Sequence, residues 1–500
     1  MTRFVVARKN LGRTVDDDDL RARLGFGNQF HGALGANAPS NESPAAQVGL
    51  RAKIVEADAA SLVSAPPGTI VEEEILHWPE VILPPDWPPG GAIGSFPLAS
   101  GPATDVTVRV TGGMRPLANA TVRLSAQGPS GHLEFRGLTD GGGSCTFSVP
   151  IDHAPSMALV CPTGGFWPML ARGNALAAFI ECPALPADGP LGWWHVALGL
   201  DAAKADLGRG IRVGVVDTGA GPHPCLQHIA SVGAFLGGNS LPPGLGADVG
   251  EHGSHVSGTI GARPAETGHY AGIAPGCDLL TARVFTGPDG GASNADIANA
   301  IDSLSSQYRA DLINLSLGAD APSQVVQLAI QEAADRGTLC ICAAGNNGGT
   351  VLYPAAFPET VAVAALGLAG WGPSGSLSAA RSPSDRSLFG PGDLYAASFT
   401  SHGDAIDCVA PGVGILATVP NRHGAVPLYG AMDGTSMASP VVCGALAALL
   451  SQDSAYRALP RNAQRTGAAR RILEEAMRAV GLPAEYEGRG MPRLSVVSTR

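Results

Sequence analysis

The chain has 500 residues, room for about two to four domains, and 45% of them are hydrophobic, enough to build real cores. That excludes a mainly disordered protein. With 15% charged residues and a net charge of −11, the composition argues against nucleic acid as a partner, because a phosphate backbone requires a basic face.

Gly (67) and Pro (40) are abundant, yet together stay below the ~25–30% of low-complexity chains, so they read as turns within folded domains. The longest apolar stretch, about 361–372, is broken by glycines and falls short of the ~18 residues of a membrane span, so no membrane partner is expected. The apolar run at 4–7 is too short for the core of a signal peptide. The nine cysteines are odd in number and scattered, with no CxxC pair, which fits reduced thiols and a cytoplasmic location. No His/Cys/Asp/Glu set has metal-ligand spacing, so neither a metal nor a cofactor is expected.

Three regions follow in chain order. Residues 1–95 open with a strand at 4–7, then the acidic run 16–19 (a solvated turn or a helix start) and a Gly/Asn/Pro-rich loop at 32–44. A helix near 58–63 and a strand at 69–71 running into Glu72-Glu73-Glu74 come next, before a Pro-rich linker at 79–97.

Residues 102–172 alternate with period two: Val106, Val108, Val110; Val122, Leu124; Leu133, Phe135; Cys145, Phe147, Val149. Turn signals separate these runs, which predicts a small all-β sandwich. Residues 116–122 with Thr139-Asp140 and Gly143 resemble carboxypeptidase-regulatory-like β-sandwich modules, which implies packing or binding rather than chemistry.

From 190 to 500, apolar strand runs at 211–216, 311–317, 338–344 and 360–366 alternate with helical patterns at 294–304 and 323–336. This βα alternation predicts an α/β fold with a doubly wound, mostly parallel sheet covered on both faces. In such sheets, function gathers beyond the carboxyl ends of the strands. Those ends carry Asp217-Thr218-Gly219 and Gly345-Asn346. The segments Glu251-His252-Gly253-Ser254-His255 and Asp433-Gly434-Thr435-Ser436 open helices. Taken singly, each has a plain structural reading: Asp217 as a turn former, His252 as a packed histidine, Asn346 as part of a turn, Ser436 as an N-cap.

Together they match what acyl transfer requires. A serine hydroxyl needs a base within reach. An imidazole serves near neutral pH when a carboxylate fixes its tautomer. The oxyanion needs preorganised donors, which a helix N-terminus and an Asn amide can supply.

The motifs Asp-Thr-Gly at 217–219, His-Gly-Ser-His-Val-Ser-Gly-Thr at 252–259 and Gly-Thr-Ser-Met-Ala-Ser-Pro at 434–440 resemble the subtilisin-like serine proteases over residues 190–500. The resemblance implies that Asp217 orients the base, His252 is base then acid, Ser436 is the nucleophile and Asn346 the oxyanion donor. It implies Ser316, Leu317, Gly318, Ala343, Ala344 and Gly345 as lining of the primary specificity pocket. Gly290 and Gly291 would lie on the opposite substrate-pairing edge, with a protein or peptide as partner. The loop 263–270 stands where many secreted relatives bind calcium, yet holds one carboxylate, Glu266, so no calcium is expected there. Residues 370–395 read as a polar surface insertion. The stretch 69–74 resembles the last strand of the family's inhibitory propeptides, which implies intramolecular inhibition; an unrelated α/β appendage is the alternative. Asp217, His252, Ser436 and Asn346 would equally serve a peptide ligase or macrocyclase; a silent binding protein is the third alternative, although such relatives usually lose a triad member and none is missing here.

Overall fold

A computed structural model describes residues 2–9, 50–57, 68–78, 92–93, 102–129, 131–173, 176, 179–288, 290–421 and 429–494. The acidic run at 16–19, the loop at 32–44, the helix near 58–63 and most of the linker 79–97 lie outside these residues.

The largest sheet has nine strands, in the order Asn239–Leu241, Ala230–Leu236, Asp278–Arg283, Arg212–Asp217, Leu312–Leu315, Leu339–Ala343, Val361–Leu368 and Leu394–Ala396, with Cys408–Pro411 also beside Val361–Leu368. Between Ala230–Leu236 and Val361–Leu368 every pairing is parallel, and the short terminal strands are antiparallel. The chain enters at Arg212–Asp217, in mid-sheet, and winds first to one side and then to the other. The carboxyl end of that strand is therefore the switch point, where crossovers diverge and leave a crevice.

Helices cover both faces. Leu339 and Ile341 pack towards the helices His252–Gly261 and Thr435–Gln452, while Cys340 and Cys342 pack towards Asn294–Asp302 and Gln324–Asp335. Burial on both faces is why these strands read as continuous apolar runs. Two helices begin on serine caps: Ser293 Oγ accepts from the Ala295 N–H (3.3 Å) and Ser323 Oγ from the Val326 N–H (3.2 Å). Among the described residues, Thr435–Gln452 is the one helix long and apolar enough to cross a membrane, and it is buried in the core.

Two smaller sheets face each other before this unit. One joins Ser144–Pro150, Ala103–Gly112 and Phe179–Glu181; the other runs Met169–Arg172, Ala154–Cys161, Thr121–Gly128, Gly131–Leu138, Ala92–Ile93. Their inner faces share one core, with Val108, Val110, Val122, Leu124, Phe135 and Phe147. This β unit extends past the expected 102–172 at both ends, because Phe179–Glu181 and Ala92–Ile93 each add a parallel strand. Neither is long enough to carry a period-two signal.

The insertion at 370–395 is not simply a surface loop. Leu377, Ser378, Arg381 and Tyr395 are buried, and residues 375–377 pair with the β unit through Leu170 N–H to Gly375 O and Leu377 N–H to Pro168 O, both 2.9 Å. Its Ser/Pro/Gly-rich composition concealed the apolar and charged anchors.

At the N-terminus, Ala52–Ala57, Thr2–Arg8 and Thr69–Glu73 form an antiparallel sheet in that order. Val5, Ala7 and Ala52 share a core with Ile297 and Ile330 on the outer side of the helices Asn294–Asp302 and Gln324–Asp335. The buried Arg51 guanidinium bonds both Asp302 oxygens (2.5 and 2.9 Å) and Glu332 (2.8 Å), and Asn299 exchanges two 3.0 Å bonds with the Ala52 backbone.

Candidate active site

Asp217 closes the central strand, so its carboxylate emerges at the switch point with 1% exposure. The chain then turns at Gly219, whose φ of +109° and contact with the Ala247 carbonyl, 2.5 Å from where a Cβ would stand, require glycine. At Gly253 a Cβ would lie 2.1 Å from the Gly219 carbonyl. These two glycines bring the start of the helix His252–Gly261 against the strand end.

The result is a direct pairing. His252 Nδ1 lies 2.8 and 3.0 Å from the two Asp217 oxygens. A carboxylate can only accept, so Nδ1 carries the proton and Nε2 of the neutral ring is left with a lone pair. Burial pulls the His252 pKa down, but the Asp217 charge and hydrogen bond outweigh it, and the net direction is up.

Asp248 supports this arrangement and escaped the sequence reading. Buried, it accepts from Thr218 Oγ1 (2.8 Å), the Gly250 N–H (2.8 Å), the Ser254 N–H (2.9 Å) and Ser254 Oγ (2.5 Å), while Thr218 Oγ1 accepts from the Gly253 N–H (2.8 Å). Burial pushes the Asp248 carboxyl up. Its only sequence signal was an acidic residue four places before His252.

Ser436 stands in the first turn of the helix Thr435–Gln452, where a backbone N–H lacks an intrahelical acceptor and the dipole favours negative charge. It is 3% exposed. Its Oγ donates to the Ser316 carbonyl at 3.4 Å, not to His252, whose Nε2 is buried without a hydrogen-bond partner. The Asp–His pair is thus closed and the His–Ser contact open, as free enzymes often show.

Asn346 follows the strand Leu339–Ala343. Its Oδ1 accepts from Thr435 N–H (2.8 Å) and Oγ1 (2.9 Å), so the amide's remaining polar atom is the donor Nδ2. Ser316 Oγ donates to the Ser436 carbonyl (2.9 Å) and lies 3.0 Å from Ser439 Oγ, which ties the 316–318 segment to the same helix. Ala344 and Gly345 are fixed by the bonds Leu352 N–H to Ala344 O (2.8 Å) and Gly345 N–H to Thr435 Oγ1 (3.1 Å), and Ala343 ends its strand, buried.

One occupant of the crevice edge comes from the chain itself. His77 and Leu76 pair antiparallel with Ala292 and Ser293, and Trp78 bridges Gly318. The pairing lies just past the expected Gly290 and Gly291. Gly291 nevertheless adjoins the occupant: a Cβ there would lie 3.1 Å from Leu76 Cβ and 3.3 Å from the Trp78 ring, whereas Gly290 turns towards Thr286. His255 and His223 serve the fold, His255 Nε2 bonding the Ile415 carbonyl (2.9 Å) and His223 Nδ1 accepting from the Cys225 N–H (3.0 Å). Among the described residues no group of three or more His, Cys, Asp or Glu could hold a metal.

The Subtilase family model matches residues 208–481. The major intracellular serine protease of Bacillus subtilis (strain 168) is 36% identical over 266 residues, covering 50% of this chain and 72% of that protein. Subtilisin Savinase of Lederbergia lenta is 34% identical over 248 residues (49% and 77%), and subtilisin DY of Bacillus licheniformis 32% over 270 (51% and 85%). The chain belongs to the subtilase family of serine peptidases.

Proposed function

We propose that this serine-type endopeptidase cuts peptide bonds of protein substrates with Ser436 as nucleophile, His252 as general base and then acid, Asp217 as the group that orients it, and Asn346 as oxyanion donor. The observation that carries the reading is the 2.8 Å contact of His252 Nδ1 with Asp217, which leaves the buried Nε2 without another partner. On substrate binding His252 takes the Ser436 proton as Oγ bonds the scissile carbonyl carbon. Asn346 Nδ2 and the Ser436 N–H receive the oxyanion. The C–N bond then breaks as His252 returns the proton to the leaving amine, and water releases the acyl group by the same steps.

The two edges at 292–293 and 316–318 would hold substrate as an added antiparallel strand, which reads backbone and leaves selection to pockets. Ala343, Ala344 and Gly345 would line the primary pocket. In the full chain, residues 76–78 take this place, supported by the sheet docked at 2–8, 52–57 and 69–73, so the N-terminal segment is an intramolecular inhibitor in this reading. His77 enters as a neutral ring, burial having pushed it down to about 4. Nine unpaired cysteines, eight of them buried, suit a reducing compartment such as the cytoplasm.

Labelling of the purified chain with a fluorophosphonate, read by intact mass and peptide mapping, tests the proposal. One adduct on Ser436 is expected; an adduct elsewhere, or none on a chain freed of residues 1–80, refutes it.

A further inference from the structure

The β unit does not merely precede the peptidase unit. Trp167, 4% exposed, belongs to the main core, with its ring edge-on to Trp371 (5.8 Å, 77°), and Trp371 packs in turn on Trp194 (6.4 Å, 74°). Ser376 bridges Met169 antiparallel at the edge of the five-stranded sheet, and the Gly165 N–H donates to the Tyr429 carbonyl (2.7 Å). Trp371 Nε1 holds the Gly414 carbonyl (2.8 Å).

The loop so pinned reaches directly to the nucleophile's turn. Ser378 Oγ donates to Asp433 Oδ1 (2.7 Å), Arg381 Nε to Asp433 Oδ2 (3.1 Å), and the Gly414 N–H also to Oδ1 (2.7 Å). Both charged side chains are buried, at 0% and 3% exposure. Asp433 is three residues before Ser436, and only Gly434 and Thr435 intervene. Gly434 sits at φ +154° with its N–H on the Gly412 carbonyl (2.7 Å). A buried ion pair gains little net stability over apolar packing, so stability is a weak account of this one. Its place three residues before Ser436 suits it to hold that turn in register, where small misplacements of a nucleophile cost rate.

We infer that Arg381 and Asp433 are positioning residues for Ser436, that they carry the docking of the β unit to the active site, and that the β unit is a retained part of the working enzyme. This rests on Ser436 being the nucleophile. Loss of the N-terminal segment would then leave an enzyme that still begins before residue 102.

The test uses the full chain after self-processing, with active sites titrated by fluorophosphonate. Labelling of the unaltered enzyme on Ser436 checks the underlying reading separately. Arg381→Met is expected to lower kcat per titrated site at least tenfold with KM changed less than twofold, and Arg381→Lys to recover part of the loss. A lower melting temperature with unchanged kcat per titrated site would make the pair merely structural and overturn the inference. If Arg381→Met does not fold, Ser378→Ala removes one bond to Asp433 without stranding a buried charge. It is expected to lower kcat per site severalfold in the same pattern, and unchanged kcat there overturns the inference equally. Intact mass of the processed enzyme should show a chain starting before residue 102; a fully active enzyme starting after residue 182 would also overturn it.

Discussion

Trp78 and Gly318, 240 positions apart in the chain, exchange both backbone hydrogen bonds, N–H to O at 3.1 Å and O to N–H at 3.4 Å. The contact is an antiparallel pair of the kind an extended peptide makes when it adds to a sheet edge. It places the chain's own segment beside Ser316, whose carbonyl lies 3.4 Å from Ser436 Oγ.

The full chain should therefore start nearly inactive and become active as it is cut beyond Trp78. In a productive complex that keeps this antiparallel register, position 80 counts against Ser316, so the new N-terminus is expected at Val81. A separate 1–80 fragment should inhibit the processed enzyme in trans. The partner must include the β unit, because Trp167 belongs to the peptidase core. Edman or mass analysis checks the bond; equal activity of full and shortened chains would refute the inhibitory role.

Glu72 should contribute measurably to that inhibition. Its carboxylate accepts from Ser323 Oγ, Asn294 Nδ2 (2.7 Å) and the Gln324 N–H (2.9 Å), at the start of the helix Gln324–Asp335. A charged hydrogen bond contributes about 1.5–3 kcal/mol, so Glu72→Ala in the 1–80 fragment should raise Ki roughly ten- to hundredfold. An unchanged Ki would mean that these bonds form only in the joined chain.

Activity should fall on the acid side through a pKa above the ordinary 6.5 of histidine, because Asp217 holds His252 up and only the neutral ring can accept the serine proton. As pH drops through that value, Nε2 is protonated and kcat/KM declines. Asp217→Asn removes the raising charge and leaves burial, so the acid limb should move down while kcat drops about 10⁴-fold, a magnitude taken over from the trypsin triad. A pH profile that does not shift in this variant would assign the limb to another group.

Ser436→Ala should abolish hydrolysis and labelling in a folded chain. Asn346→Ala should lower kcat about 10²–10³-fold with KM little changed, a magnitude carried over from subtilisin. A loss confined to KM would make Asn346 a ground-state binding residue.

Asp248→Ala should destabilise the chain by more than about 3 kcal/mol, since it strands several buried donors at about 1–3 kcal/mol each. Denaturant unfolding of the Ser436→Ala background, which cannot digest itself, measures this. A change under about 1 kcal/mol would mean that Thr218 and Ser254 find other acceptors.

Much of the peptidase unit was legible because its signals are local. The apolar runs at 211–216 and 338–344 announce buried strands, and the helical patterns at 294–304 and 323–336 lie close to the helices Asn294–Asp302 and Gln324–Asp335. Asp217, His252, Asn346 and Ser436 each sit where a strand ends or a helix begins, within or beside short motifs that carry the family resemblance, so they could be singled out as candidates from the sequence. What the sequence by itself could not decide lies in partners far apart along the chain. Backbone pairing of Leu76–His77 with Ala292 and Ser293 leaves no side-chain signature, since main-chain bonds are the same for every residue type. Arg381 and Asp433 meet over 52 positions from within a Gly/Pro/Ser-rich stretch, and charge in such a stretch reads as solvated. Only the closed fold removes water from both and makes their contact matter.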